Sequence, residues 1–232
     1  MKVLIITAFT DHIRWHNYGK CDYGDFAALN HLNYSNKHGY SYIKEIVLNE
    51  DYSDWHPTWI KIDVLRKHIS NYDYVVWIDA DAVFVDDNIK IEDFISEDVD
   101  LILPKLEFDK VSGKMWTHTS TGFMIWKNSE WSKNILSLLW EQPNEFRFKF
   151  FHEQTRLDQV IYDNFLISGG ENILHNEITD LPHPVILNNI KILPYSYHRC
   201  WPDGEIKFIY HAGGDTPTKL SRIKEVLSKN SQ

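Results

Sequence analysis

Apolar residues in this chain fall into short continuous runs, and the stretches between them repeat apolar positions at helical spacing. Val3 to Phe9 is almost wholly apolar. Seven residues are too few for a membrane span and no small-residue cleavage site follows, so Lys2 to Phe9 reads as a first strand. A polar, Gly-containing stretch from Thr10 to Gly24 leads into a helix expected from Asp25 to His38, stopped by Gly39. Tyr42 to Leu48 reads as a second strand. Pro57 stands where a helix would begin, and Ile62, Leu65 and Ile69 fall at i, i+3 and i+7. This predicts an amphipathic helix from about Pro57 to Ser70, feeding an apolar strand that starts at Tyr74 and ends at Asp79.

Further strands are expected at Asp100 to Leu103 and Gly122 to Trp126. A helix follows from Asn128 to Trp140, with Trp131, Ile135, Leu138 and Leu139 on one face. Another begins near Glu153 or Gln154, where Leu157, Val160, Ile161 and Phe165 form a buried stripe that turns Asp158 and Gln159 away from the core. Ser168 to Asn189, rich in Gly, Asn, Asp and Pro, reads as a long loop. Ile206 to Tyr210 is a closing strand, followed by a helix carrying Leu220, Ile223 and Leu227. Strands alternating with helices predict an α/β fold: a central, mostly parallel sheet with helices on both faces and right-handed crossovers.

Composition narrows the function. With 232 residues the chain suits one large core, so a single domain is expected. A net charge of -9 argues against a nucleic-acid partner, which needs a basic face to release counterions. Cys21 and Cys200 are far apart and in no metal-binding spacing, so neither a disulfide framework nor a thiolate zinc site is expected. No targeting or transmembrane segment is read, and a cytoplasmic location is the expectation. Nine Trp are more than a core of this size needs, which makes a sugar-handling aromatic surface one explanation.

The chemistry concentrates at Asp79-Ala80-Asp81, directly after Val75-Val76-Trp77-Ile78. In open α/β sheets the functional crevice lies at the carboxyl ends of strands. Alternation along an extended backbone would point residues i and i+2 the same way, so two hard oxygen ligands face one divalent cation. Two other apolar runs end in polar groups, Thr7 to Asp11 and His211 to Gly214. If their strands are neighbours in the sheet, the three tips meet and His211 completes a Mn²⁺ site with Asp79 and Asp81, Mg²⁺ being the alternative. Gly213 and Gly214 would let backbone approach a phosphate, with Lys219 balancing its charge. His12 and His16 lack a fixed acidic partner and are not read as a zinc site.

Several runs together resemble glycosyltransferase family 34: His38-Gly39-Tyr40, Trp59 to Arg66, Tyr72 to Phe84 with the D-x-D inside it, Thr121 to Ser132, and His211-Ala212-Gly213-Gly214. They span about residues 33 to 214 in the family's order. The resemblance implies a GT-A fold, with a nucleotide-binding region over about 1–105 and an acceptor region over about 106–232. It implies a nucleotide-sugar donor, Mn²⁺ on Asp79, Asp81 and His211, and retention of anomeric configuration. It further implies donor contacts from Lys61, sugar contacts from Ser120, Thr121 and the adjoining Gly122, and Asp158-Gln159 beside the reacting carbon. Thr7, Ala8 and Thr10 are expected at the nucleoside, and Ala80 lies between the metal ligands. The expected partners are a UDP-sugar carrying galactose, xylose or glucose and a carbohydrate acceptor. Family members often carry an acid where Leu157 stands here. Two alternatives remain: a haloacid-dehalogenase-like phosphatase with Asp79 as nucleophile, and a sugar-nucleotide-binding protein without catalysis.

Overall fold

The computed structural model describes residues 1–9, 22–46, 56–105, 119–141, 152–167, 185–200, 205–214 and 216–230. Expectations placed on Thr10, His12, His16 and most of the Ser168 to Asn189 stretch lie outside them. The first half runs β1 (Val3–Phe9), α1 (Asp22–His38), β2 (Ser41–Ile46), α2 (Ile60–His68), β3 (Tyr74–Ile78), β4 (Ala82–Phe84) and β5 (Leu101–Pro104). The second runs β6 (Phe123–Lys127), α3 (Glu130–Trp140), α4 (His152–Ile167), β7 (Val185–Leu187), β8 (Ile190–Leu193), β9 (His198–Arg199), β10 (Ile209–His211) and α5 (Thr216–Asn230).

Seven strands form one sheet in the order β2-β1-β3-β6-β5-β8-β7. β1 is parallel to β2 and β3, and β5 to β8, while β6 and β7 run against their neighbours. The sheet is therefore mixed and mostly parallel. Period-two alternation buries both faces. Leu4, Ile6, Val75, Trp77, Leu103, Met124 and Trp126 pack with apolar residues of α2, α3 and α4. Val3, Ile5, Tyr74, Val76, Ile78, Ile102 and Ile125 pack on the other side with Tyr34 of α1, Phe84 and Phe208. Such two-sided burial explains why the strands read as apolar runs rather than alternating ones. No described helix is long and apolar enough to cross a membrane.

Local signals account for the element ends. Gly39, with φ +71°, takes the left-handed conformation that ends α1, and nothing crowds its Cβ position, so backbone conformation alone calls for glycine. Ser129 caps α3 by accepting from the Ser132 backbone N–H at 3.1 Å. The expected face of α3 is corrected: Ser132, Ile135, Leu136 and Leu139 are buried, whereas Leu138 is 41% exposed. The small Ser132 occupies the buried stripe one turn before Leu136, which rotates Leu138 outward.

β4 is the element the apolar pattern missed, because its three residues beyond the D-x-D are too few to read as a strand of their own. It pairs with β10, and β10 with β9, in a separate three-stranded sheet. Asn30 of α1 clamps Phe84, donating to its carbonyl at 2.9 Å and accepting from its N–H at 2.8 Å. The buried His31 ring nitrogen lies 2.7 Å from the Ala82 carbonyl.

Candidate active site

β1 lies between β2 and β3, so the chain switches direction across the sheet at β1, and the crevice outside the carboxyl ends of β1 and β3 is the expected ligand position. Thr7, Ala8 and Asp79 stand at those ends. Thr7 is fully buried, and its hydroxyl has no hydrogen-bond partner among the described residues. The D-x-D segment is a turn rather than extended strand, closed by the Ala82 N–H donating to the Asp79 carbonyl at 3.0 Å. Convergence of the two carboxylates thus comes from this turn and not from strand alternation.

His211 joins them by a route other than expected. Its strand is not a neighbour in the main sheet; β10 runs antiparallel to β4 with His211 opposite Ala82, and the Ala212 N–H donates to the Asp81 carbonyl at 2.8 Å. The imidazole Nε2 lies 3.0 Å from Asp81 Oδ1 and 3.7 Å from Asp79 Oδ2. One ligand atom from each of Asp79, Asp81 and His211 can be chosen so that all lie within 4.8 Å of one another. Two carboxylates and an imidazole suit a hard-to-borderline divalent cation such as Mn²⁺ or Mg²⁺, so the donor set fits the implied metal.

Cations of the chain itself stand against these carboxylates. Lys61, in the first turn of α2, is 3.0 Å from Asp79 Oδ1 and 2.9 Å from Glu153 Oε1, and donates to the Thr121 hydroxyl at 3.2 Å. Burial alone would lower the Lys61 pKa, but the Asp79 and Glu153 carboxylates override it and hold the ammonium well above its usual range. Trp77 donates from its indole to Asp79 Oδ1 at 2.6 Å, fixing the carboxylate. Lys219 of α5 donates to Asp81. Burial would raise the Asp81 pKa, yet His211 and Lys219 hold it well below the carboxylate range. Burial would likewise lower His211, and Asp81 instead holds it well above an ordinary histidine.

Strand β6 is preceded by Thr119 to Gly122, which delivers the second half of the site. The Thr121 N–H donates to Gln154 Oε1 at 2.9 Å, and its hydroxyl lies 3.1 Å from Glu153 Oε1. Ser120 is buried, with its N–H donating to the Pro104 carbonyl at 2.8 Å. Glu153 and Gln154 are both buried, and Glu153 Oε2 has no hydrogen-bond partner among the described residues. Of this acid and amide, Glu153 reaches Lys61 and both reach Thr121. The expected pair lies one helical turn later: Asp158 accepts from the Thr119 N–H at 3.2 Å and from its hydroxyl, while Gln159 is exposed. Leu157 sits on the buried stripe of α4, and three or four residues before it on the same stripe are Gln154 and Glu153. A polar pair on an apolar stripe was the signal available in the sequence.

Gly122 permits the closest approach in the site. A Cβ there would lie 2.5 Å from His211 Nδ1 and 2.9 Å from His198 Nε2. Gly122 also accepts from the Asp79 N–H through its carbonyl at 2.9 Å, tying β6 to the D-x-D turn. Gly214 has φ +103° and is exposed, whereas Gly213 has room for a Cβ; its carbonyl accepts from Arg222 at 2.8 Å. His198, which sequence reasoning passed over, is fully buried at the start of β9.

A mixed sheet with a D-x-D turn at its switch point defines the class: this is the GT-A fold. The structure matches the crystal structure of a glycosyltransferase involved in the glycosylation of the major capsid of PBCV-1, with a TM-score of 0.63 over 97% of this chain and 100% of that one. Identity is 14%, so the likeness is one of fold. The chain belongs to the family described as "Protein of unknown function, DUF273", whose model matches residues 32–164. It is also 23% identical over 194 residues to the probable alpha-1,6-mannosyltransferase MNN10 of Saccharomyces cerevisiae, covering 70% of this chain and 49% of that protein. The chain therefore spans about half the length of that relative.

Proposed function

We propose that the protein is a metal-dependent, retaining glycosyltransferase of the family 34 kind, moving a sugar from a nucleotide-sugar to a glycan hydroxyl. The observation that carries this reading is the convergence of Asp79, Asp81 and His211 at the switch point of a GT-A sheet. When bound, Mn²⁺ or Mg²⁺ would act there as a Lewis acid toward the donor diphosphate. The chain's own groups do the rest. Thr7 and Ala8 border the nucleoside position at the end of β1, within the nucleotide-binding region. Lys219, held on Asp81, is placed to turn to a phosphate, and the Gly213-Gly214 turn leaves backbone close to it. Lys61 fixes Asp79 and Glu153 in one arrangement.

In this reading the acid-amide pair beside the sugar is Glu153-Gln154. Glu153 Oε1 is engaged by Lys61 and Thr121, which leaves Oε2 to accept a donor-sugar hydroxyl or face positive charge developing on the ring. Asp158 acts through Thr119 to position the Ser120–Gly122 segment. Retention follows from a site in which the leaving phosphate takes the acceptor proton on the same face. The phosphatase reading draws no support from the fold match, which is to a glycosyltransferase.

The test is Mn²⁺-dependent hydrolysis of UDP-galactose, UDP-glucose, UDP-xylose and GDP-mannose, the last included because of the mannosyltransferase relative. Release of nucleotide from one donor is expected, a UDP-sugar first. Asp79→Asn and Asp81→Asn should remove metal-linked donor binding while leaving the fold intact. Binding without turnover would favour the non-catalytic alternative, and no Mn²⁺-linked binding in wild type would overturn the reading. A β product from an α-linked donor would overturn retention.

A further inference from the structure

His211 faces two ways. Nε2 points to the Asp79 and Asp81 carboxylates, while Nδ1 lies on the Gly122 side, where His198 Nε2 also approaches. His211 Nδ1 and both ring nitrogens of the fully buried His198 are shielded from solvent and have no hydrogen-bond partner among the described residues. Three unsatisfied imidazole nitrogens in one place are costly unless a ligand completes them. The half-buried Cys200 supplies a third group: one ligand atom from each of His198, Cys200 and His211 can be chosen so that all lie within 4.8 Å of one another. The sheet edge assembles them. β9 pairs in parallel with β10 so that His198 stands opposite Ile209 and Arg199 opposite Tyr210, and the bend at Cys200 directly after β9 lies beside His211 directly after Tyr210.

We propose that His198, Cys200 and His211 form a second metal site, selective for a thiophilic cation such as Zn²⁺ and mutually exclusive with hard-metal binding at Asp79 and Asp81. Two imidazoles and a thiolate are a borderline-to-soft set, unlike the carboxylate-rich set next to it. Zinc–nitrogen and zinc–sulfur bond lengths put tetrahedral ligand atoms about 3.3–3.8 Å apart, so the present spacing closes with shifts of about 1 Å or less. Three protein ligands leave a fourth position for water. Exclusion follows from the shared imidazole. A neutral ring has one lone pair and one N–H. When zinc takes Nδ1, Nε2 carries the proton and donates to Asp81. When a hard metal takes Nε2, Nδ1 carries the proton and turns a donor toward Cys200 and His198. The exclusion rests on the metal site of the proposed function; zinc binding itself does not.

The experiment uses the whole chain stripped with a chelator. Zn²⁺ affinity is read by competition with a chromophoric chelator, and Co²⁺ serves as a spectroscopic stand-in through its thiolate charge-transfer band in the near ultraviolet. Cys200→Ser should abolish the band and weaken Zn²⁺ binding by about tenfold or more. His198→Gln, checked for folding by circular dichroism, should also weaken it; the half-buried Cys200 keeps the test valid if that variant misfolds. Asp79→Asn alone, which spares the Asp81 carboxylate that the zinc-bound imidazole donates to, should leave the band and the zinc affinity within a few-fold of wild type. Survival of the band in Cys200→Ser, or zinc affinity lost in Asp79→Asn and kept without Cys200, would overturn the second site. Millimolar Mn²⁺ should reduce the cobalt band; an unchanged band would overturn the exclusion. Zinc binding through Cys200 in a protein without Mn²⁺-dependent donor turnover would mark failure of the proposed function and not of this site.

Discussion

Two lysine–carboxylate pairs stand on either side of the D-x-D turn, and they differ in how the fold holds the lysine. Lys61 has a side chain 5% exposed, shared among Asp79, Glu153 and the Thr121 hydroxyl, with each partner on a different element. Lys219 has a side chain 21% exposed and reaches Asp81 from α5. Asp81 keeps a second cation, His211, if Lys219 leaves. Glu153 has no such reserve among the described residues, because its side chain is 3% exposed and Lys61 is the cation beside it. A buried ion in a network is part of the frame, whereas a half-exposed one with a compensated partner can move to a ligand at small cost. The Asp79 side is therefore a fixed scaffold and the Asp81 side is built to exchange partners.

The sharpest way to break this contrast is to neutralise each lysine. Lys61→Met leaves the Glu153 carboxylate buried without its counter-ion and is expected to cost about 3–5 kcal/mol of stability. Lys219→Met should cost less than Lys61→Met, its partner Asp81 being still paired with His211. Urea denaturation of both variants decides it, and equal losses would erase the distinction. Next in size is Gly122→Ala. The added methyl meets the half-buried His211 ring and the buried His198 ring, and overpacking of this kind costs about 1–3 kcal/mol. Its further consequence is a displaced His211, read as weaker Mn²⁺-linked nucleotide binding in calorimetry. Unchanged stability and binding would mean that the Asp81 side yields more freely than its packing suggests.

The smallest effect is in pH. In metal-free protein the folded His211 pKa is raised above its unfolded value of 6.5 by Asp81. The stabilisation it contributes is therefore complete below pH about 6.5 and is lost as pH rises through the folded value. Asp81 works the other way: its folded pKa is depressed, so its contribution is present above its unfolded value of 3.8 and lost as pH falls through the folded one. His31, pushed by burial down to about 4, and His198, pushed well below 6.5, destabilise the fold as pH drops below 6.5, because the unfolded chain takes their protons first. Urea midpoints for wild type should decline above pH 6.5, and His211→Gln should flatten that decline. A decline of the same slope in the variant would assign it to other groups.

What the sequence determined by itself is contiguous. The D-x-D stands out because its strand, Tyr74 to Ile78, is buried on both faces and so reads as an unbroken apolar run ending in charge. The strand–helix order and the mostly parallel sheet were legible for the same reason: two-sided burial and helical period are written in neighbouring residues. The GT-A class was legible only through the resemblance of several separated runs to a known family. Tertiary structure decided the rest, since it depends on contacts across many residues. Glu153 and Gln154 meet Thr121, and Gln159 is exposed, through the rotational phase of α4 against Thr121, 32 and 33 residues away in the chain. His211 reached Asp81 through β4, a three-residue strand too short to announce itself. The meeting of His198 and Cys200 with His211 follows from the parallel pairing of β9 and β10, two segments too short for a sequence pattern to show which strand each will lie beside.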